Sequence, residues 1–386
     1  MRGPSDAVDE YVLEAAGPLP GPLRLADAAE HRLSRGKLRS LRWERLSHGL
    51  YRPRGQQLTP HEVAAALSGV LPRDSGFGHL TSAALRQWWL PNRLGPHVWL
   101  ATTTSNVHVQ RDGGYVRRSK YAEYDDLDGV PVVSAAQTLV ELARDLTLVD
   151  LVPMVDCALR RGAKTDDILR AARPRVPGAR RLRRAVDLAD ERSESWWESV
   201  LRLLHVLSGL GPVECQVPLW DGGMFIARAD LHLVGTVRFP ECDGGRHREK
   251  DRHDQDLHRE KGISRCRFER YGYTTGEITM SPGMVIRDAE DARGWQHEPR
   301  RLRTWWGYAR ASTLTPYGRT RLAARLERYR LAARRDARTR DERSRRGELA
   351  AAVGDARPLR DHLEAARARA QSRRTAVTAA VAMRDA

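Results

Sequence analysis

Two short apolar runs on either side of Val234–Gly235 constrain this chain most, because each run places a carboxylate near the other run. Asp230 lies in the run 224–235, and Glu241 lies in the run 236–245. Alternating apolar positions bounded by glycine predict two strands joined by a turn. Such a turn would bring the two carboxylates close together, where they repel unless a cation lies between them. The pair therefore predicts a site for a hard divalent cation, Mg²⁺ or Mn²⁺, which takes oxygen ligands.

The bulk properties of the chain predict a reduced, cytoplasmic protein with no membrane association. Its 386 residues are enough for two or three domains. The mean hydropathy is −0.58, and no apolar run approaches the ~20 residues of a membrane span. The first 25 residues lack a basic region followed by an apolar core, so we expect no signal peptide. The four cysteines form no Cys-x-x-Cys pair, which favours reduced thiols.

The net charge of +16 is concentrated at one end of the chain. Residues 299–386 contain 23 arginines, no lysine and nine acidic residues, so they carry +14 of the total. A basic segment attracts phosphate backbones without reading sequence, which makes DNA the expected partner. The alternative is a solvated helix in a protein that uses Arg in place of Lys.

Residues 23–57 follow the order helix, turn, basic helix, hairpin, which is the order of a winged helix-turn-helix module. The first helix is predicted over 23–32 and the hairpin over 43–53. The second helix, predicted over 35–42 after a cap at Ser34, has Leu38 and Leu41 on its inward face and can enter the major groove of DNA. The basic side chains that this helix offers to DNA are Arg35, Lys37, Arg39 and Arg42. The alternative is that the module only packs against its neighbour. Because DNA readers of this kind bind as pairs, a homodimer is the expected assembly.

Composition and element pattern divide the chain into six segments. The expected fold class is α+β or α/β, with a long amphipathic helix that is capped by Ser193, contains Glu198 and ends near Gly209. The segments are a flexible N-terminus (1–22), the winged-helix module (23–57), a mixed α/β domain (58–170), a linker rich in Arg, Pro and Gly (171–192), a second domain (193–295) and an Arg-rich helical or disordered tail (296–386).

Within the mixed α/β domain, strands are predicted over 98–102, 115–117 and 130–134. One helix is predicted to begin at Pro60 after a cap at Thr59, and a second to begin at His79. Two further helices are predicted over 135–145 and 149–161.

A series of segments in the second domain resembles a domain-of-unknown-function family related to very-short-patch-repair endonucleases. The segments that carry the resemblance are Trp197–Arg202, Pro212–Gln216, Arg228–Asp230 and Glu241–Gly244 with His247. That family belongs to the PD-(D/E)XK nuclease superfold, so the resemblance implies a restriction-endonuclease-like domain that hydrolyses DNA phosphodiesters with Mg²⁺.

The resemblance also implies a role for each site residue. Asp230 and Glu241 would hold the metal, Glu198 would support it from the preceding helix, and His247 would act as general acid or base. The third superfold position, normally Lys, is Asp243 in this chain. Lys250 or Lys261 are alternatives for the missing cation.

Residues 23–165 are similar to the winged helix and companion domain of AbiEi-type antitoxins. The match is carried by Gly49–Tyr51 and Gln137–Ala143. It implies a cognate toxin-like protein as a possible partner.

Three other interpretations remain open from the sequence. In the first, the chain is a DNA-binding regulator on a degenerate nuclease scaffold. In the second, it is an interaction module that neutralises a partner toxin. A zinc site from Cys242, His247 and Cys266 is the third, although their spacing matches no standard zinc motif.

Overall fold

The computed structural model describes residues 21–91, 99–105, 114–243 and 268–329. Within them, α-helices alternate with several small β-sheets, which confirms the mixed α and β class. No helix in these ranges is both long enough and apolar enough to cross a bilayer.

The N-terminal segment forms a three-stranded antiparallel sheet in the order β1-β3-β2. Its strands are β1 (Leu23–Arg24), β2 (Trp43–Ser47) and β3 (Leu50–Pro53). Gly49 joins β2 to β3 with a positive φ of 72°, a conformation that glycine adopts at no steric cost. The hairpin predicted over 43–53 is therefore confirmed.

The two helices predicted in the same segment are wrong. Residues 25–27 and 37–39 form single 3₁₀ turns instead. Short helices depend on burying an apolar face, and the expected Leu38 and Leu41 stripe does not form one. Leu38 is buried, whereas Leu41 is 84% exposed.

A five-stranded mixed sheet follows, in the order β6-β5-β4-β8-β7. Its strands are β4 (Ser75–Phe77), β5 (Trp99–Thr103), β6 (Gly114–Arg118), β7 (Tyr124–Leu127) and β8 (Val130–Val133). The sequence predicted β5, β6 and β8. It missed β4, which has only three residues, and β7, whose two central residues are aspartates.

Five helices accompany this sheet, and four of them were predicted from caps or apolar spacing. They are α1 (Pro60–Ser68), α2 (His79–Leu85), α3 (Ala135–Ala143), α4 (Leu148–Arg160) and α5 (Thr165–Ala171). Thr59 and Glu62 form a reciprocal capping box at the start of α1, with Pro60 in its first position.

The segment expected to be a linker, 171–192, contains helix α6 (Ala179–Asp187). Leu182 and Ala185, three residues apart, are fully buried against the neighbouring helices. The surrounding arginines lower the mean hydropathy of this segment, so its composition alone does not reveal the narrow apolar stripe.

The remaining described residues form one helix, a set of four strands and a group of short helices. They are α7 (Trp196–Leu207), β9 (Val213–Asp221), β10 (Met224–Leu233), β11 (Arg238–Asp243), β12 (Glu269–Thr274), α8 (Thr275–Met280), α9 (Pro282–Ala292), α10 (Leu302–Ala309) and a helical stretch over 316–329. β9 and β10 pair antiparallel, and β11 and β12 pair parallel.

One hydrophobic core joins the helices of the middle segment to those that follow. It contains buried residues of α4, α6 and α7 and extends to Trp305 in α10. Asp150 in α4 accepts hydrogen bonds from the backbone N–H (2.9 Å) and hydroxyl (2.6 Å) of Thr313. The first part of the expected tail is therefore packed, while residues 330–386 lie outside the described ranges.

A buried ion pair joins α4 to α7 within this core. The Asp156 carboxylate accepts hydrogen bonds from Arg202 Nη2 (2.8 Å) and Ser199 Oγ (2.6 Å). It also accepts one from the backbone N–H of Asp190, at 2.8 Å. Burial still raises the pKa of Asp156, although Arg202 and these hydrogen bonds oppose the rise.

Candidate functional site

Helix α7 carries Glu198 into the interior by its first turn. The helix begins one residue after Ser195, whose Oγ accepts the Glu198 N–H at 3.1 Å, so the cap is Ser195 and not the predicted Ser193. The Glu198 carboxylate accepts hydrogen bonds from the Glu194 N–H and from Gln216 Nε2, both at 2.9 Å. Glu198 is only 7% exposed, and burial raises the pKa of its carboxyl despite these hydrogen bonds.

Strand β10 carries Asp230 in a half-buried position between two buried neighbours, Ala229 and Leu231. The strand pairs with β9, and the turn of this hairpin lies at Gly222–Gly223. A second turn at Gly235, where φ is 83°, leads into β11 as the sequence predicted.

β10 and β11 nevertheless hydrogen-bond to different partners, β9 and β12. The two strands contact each other through the stacked rings of His232 and Phe239, whose centroids are 4.6 Å apart. They therefore lie side by side, joined by the predicted turn, and each belongs to its own hydrogen-bonded ladder.

Glu241, the second predicted metal ligand, is bound by a cation of this chain. Its carboxylate Oε2 accepts a hydrogen bond from Arg270 Nε at 2.5 Å. The Glu241 side chain is 6% exposed, so the pair lies mostly out of contact with water. Arg270 is on β12, and the parallel pairing of β11 with β12 brings it within reach. Arg270 was not predicted from the sequence, because only the register of β12 against β11 brings it to Glu241.

The pKa of the Cys242 thiol responds to the other three predicted carboxylates. Burial is the largest cause that raises its pKa to about 12. The negative charges of Asp243, Glu198 and Asp230 raise this pKa further, in that order. A helix and two strands thus place three carboxylates within electrostatic reach of one sulfur atom.

Gly272 on β12 makes room for Asp243 on β11. A Cβ atom at position 272 would lie 2.4 Å from Asp243 Oδ2, well inside van der Waals contact. Gly272 faces Glu241 in the register of β11 and β12. A glycine inside a strand often marks a close approach, so Gly272 between Tyr271 and Tyr273 is the sequence signal for this contact.

The oxygen donors at this site suit Mg²⁺ or Mn²⁺ in their chemistry, since hard cations take carboxylate ligands. Within the described residues, no group of three or more His, Cys, Asp or Glu side chains is arranged to hold a metal ion. His247, Lys250 and Lys261 lie outside the described residues, as does Cys266 of the alternative zinc site.

The predicted DNA-contacting residues lie on the N-terminal segment, around the 3₁₀ turn. Arg35, Lys37 and Arg39 are exposed, and Arg42 is half-buried. Ser34 Oγ accepts a hydrogen bond from the Lys37 N–H at 3.2 Å, but the residue that caps the 3₁₀ turn is Gly36 and not the predicted Ser34. These cations are thus presented by a turn and not by a recognition helix.

Comparisons with protein-family models, with curated proteins and with solved structures found no match to this chain.

Proposed function

We propose that this protein is a metal-dependent endonuclease that hydrolyses DNA phosphodiester bonds at the site formed by α7, β10 and β11. The observation that carries the proposal is that Glu198, Asp230 and Asp243 all lie within electrostatic reach of the Cys242 thiol. Like charges held together in a half-buried place favour a cation between them. The order helix, three strands and a final strand parallel to the third also agrees with the resemblance to the nuclease superfold.

In this proposal Asp230, Glu198 and Asp243 would hold the metal, and Glu241, paired with Arg270, would be a further carboxylate at the site. Bound Mg²⁺ supplies Lewis-acid stabilisation of the negative charge that develops on a scissile phosphate. Gln216 orients the Glu198 carboxylate through its 2.9 Å hydrogen bond. His247 keeps its proposed role as general acid or base.

Arg270 is the proposed substitute for the lysine that Asp243 replaces. Its guanidinium already neutralises Glu241, and its side chain is 24% exposed, so one side of it can reach a phosphate. Arg is a strong phosphate ligand because its fixed donors can pair with two oxygen atoms.

The test is a cleavage assay with the full chain on supercoiled plasmid and single-stranded DNA, with Mg²⁺, Mn²⁺ or EDTA. We expect nicking that requires the metal and is lost in Asp230→Asn. The matched control is Asp221→Asn, an exposed aspartate at the end of β9 on the same hairpin, which should retain activity.

The second candidate is a DNA-binding regulator on a degenerate nuclease scaffold, with a toxin-like protein as a further possible partner. The Glu241–Arg270 ion pair favours it, because a predicted metal ligand is already neutralised. The regulator is supported if neither the wild type nor Asp230→Asn cleaves DNA and both retain salt-sensitive DNA binding. In that case Arg35→Gln with Arg39→Gln should weaken DNA binding, whereas Asp230→Asn should not.

A further inference from the structure

A concave pocket of about 620 Å³ lies in the middle segment, far along the chain from the carboxylates of β10 and β11. Its walls come from the end of β6, the first turn of α3 and helix α5. Pockets that bind small molecules have volumes of roughly 300–1,000 Å³, so this pocket has room for a ligand of that class.

The walls of this pocket carry more positive than negative charge. The cations that line it are Arg117, Arg118, Arg144, Lys164, Arg170 and Arg173. Three carboxylates also line it, and two of them are paired with arginines. Asp125 accepts from Arg86 at 2.6 Å, and Asp167 accepts from Arg170 at 2.7 Å. The surplus charge therefore favours an anionic occupant.

Two further features of the wall favour an anionic occupant. Arg144 Nε is buried and has no hydrogen-bond partner among the described residues. A buried donor without a partner is rare and calls for a ligand or water. The nine-residue helix α3 begins in the wall at Ala135, and helix N-termini attract phosphate groups.

We propose that this pocket binds a small molecule that carries two or more linked phosphates, such as a nucleoside diphosphate or triphosphate. A single phosphate would neutralise only part of the surplus positive charge. The cations converge on one concavity, whereas a nucleic-acid backbone is normally followed by a stripe of basic residues. The site is independent of the proposed nuclease site, with which it shares no residue.

The experiment is calorimetric titration of the full chain with inorganic tripolyphosphate in a buffer that contains EDTA, so that no metal site contributes. We expect saturable binding of one ligand per chain. Arg117→Gln combined with Arg144→Gln should weaken binding at least about tenfold, equivalent to ~1.4 kcal/mol. Lys164→Gln, on the exposed rim, tests the same site with little risk to folding. Arg180→Gln, an exposed cation outside the pocket, is the matched control and should leave Kd unchanged.

Two further titrations identify the source of the phosphates. A nucleoside triphosphate that binds more tightly than tripolyphosphate would make a nucleotide the natural class of ligand. A short DNA duplex should not compete for the site. The proposal is overturned if tripolyphosphate does not saturate, if Arg180→Gln weakens binding as much as the pocket variants, or if only the duplex binds.

Discussion

Helix α7 contributes to two groups of charged side chains, and the two groups are built in opposite ways. In the first group Ser199 and Arg202 surround Asp156 with donors and with one balancing positive charge. In the second group Glu198, Asp230 and Asp243 all lie within electrostatic reach of the Cys242 thiol, and all three charges have the same sign.

The difference separates a structural cluster from a candidate binding site. A buried charge that is paired and hydrogen-bonded holds two helices in one arrangement. Several carboxylates near one buried atom raise the free energy of the fold, unless something positive binds among them. Buried groups of similar polarity on one helix can therefore have different roles, and the balance of charge distinguishes them.

The largest expected effect comes from breaking the balanced cluster with Arg202→Met. The variant leaves Asp156 buried without its cation, which should cost about 3–5 kcal/mol of unfolding free energy near neutral pH. Because the folded-state pKa of Asp156 is already raised, its contribution to stability is present at low pH and is lost as the pH rises. The variant should therefore recover part of its stability in acid. Urea unfolding at pH 5 and pH 7.5 measures this, and an equal loss at both values would contradict the interpretation.

A smaller effect of opposite sign is expected for Glu198→Gln. The variant removes one buried negative charge and keeps the shape of the side chain, so it should stabilise the fold by about 1 kcal/mol at neutral pH. Since the pKa of Glu198 is raised, the wild-type carboxyl favours folding only at low pH, and the gain in the variant should grow with pH. If the proposed nuclease site is right, the same variant loses metal-dependent cleavage. A variant less stable than the wild type at pH 7.5 would show that the negative charge is needed for folding.

The third expected effect concerns the Cys242 thiol, whose reactivity reports on the charges around it. With a pKa of about 12, it should react very slowly with an alkylating reagent at pH 8. Asp243→Asn removes the largest charge contribution and should speed the reaction about threefold, because burial remains the main cause. Mg²⁺ should also speed it in the wild type if the cation binds among the carboxylates. Mass mapping of the labelled peptide separates Cys242 from the other cysteines, and no response to Asp243→Asn would argue against the convergence.

The smallest effect is expected for Arg160→Gln, which removes a surface ion pair at the start of α7. Arg160 Nη2 lies 3.0 Å from Glu194 Oε1, and both side chains are well exposed to water. Exposed pairs contribute at most about 1 kcal/mol, so the variant should unfold within ~0.5 kcal/mol of the wild type. This variant is the matched control for Arg202→Met. A similar loss of unfolding free energy in both variants would show that burial of an ion pair does not determine its contribution to stability.

The parts of the fold that were predicted correctly depend on local chemistry. The capping box at Thr59, the glycine turn at Gly49 and the apolar spacing of α4 act within a few residues. The helix expected over 35–42 does not form, because Leu41 is exposed and so the expected apolar face is not buried. Helix α6 was missed for the converse reason, since its two buried residues are surrounded by arginines that obscured the pattern.

The candidate site also combines features that follow from local sequence with features that depend on tertiary structure. The residue types of Asp230, Glu241, Asp243 and Glu198, and hence a preference for a hard cation, follow from the sequence alone. Only the tertiary structure decided what each carboxylate meets. The parallel pairing of β11 with β12 joins Glu241 to Arg270, and the packing of α7 brings Glu198 toward Cys242. Local patterns determine elements and donor types. The register between distant segments depends on burying the whole core, which no short stretch of sequence encodes.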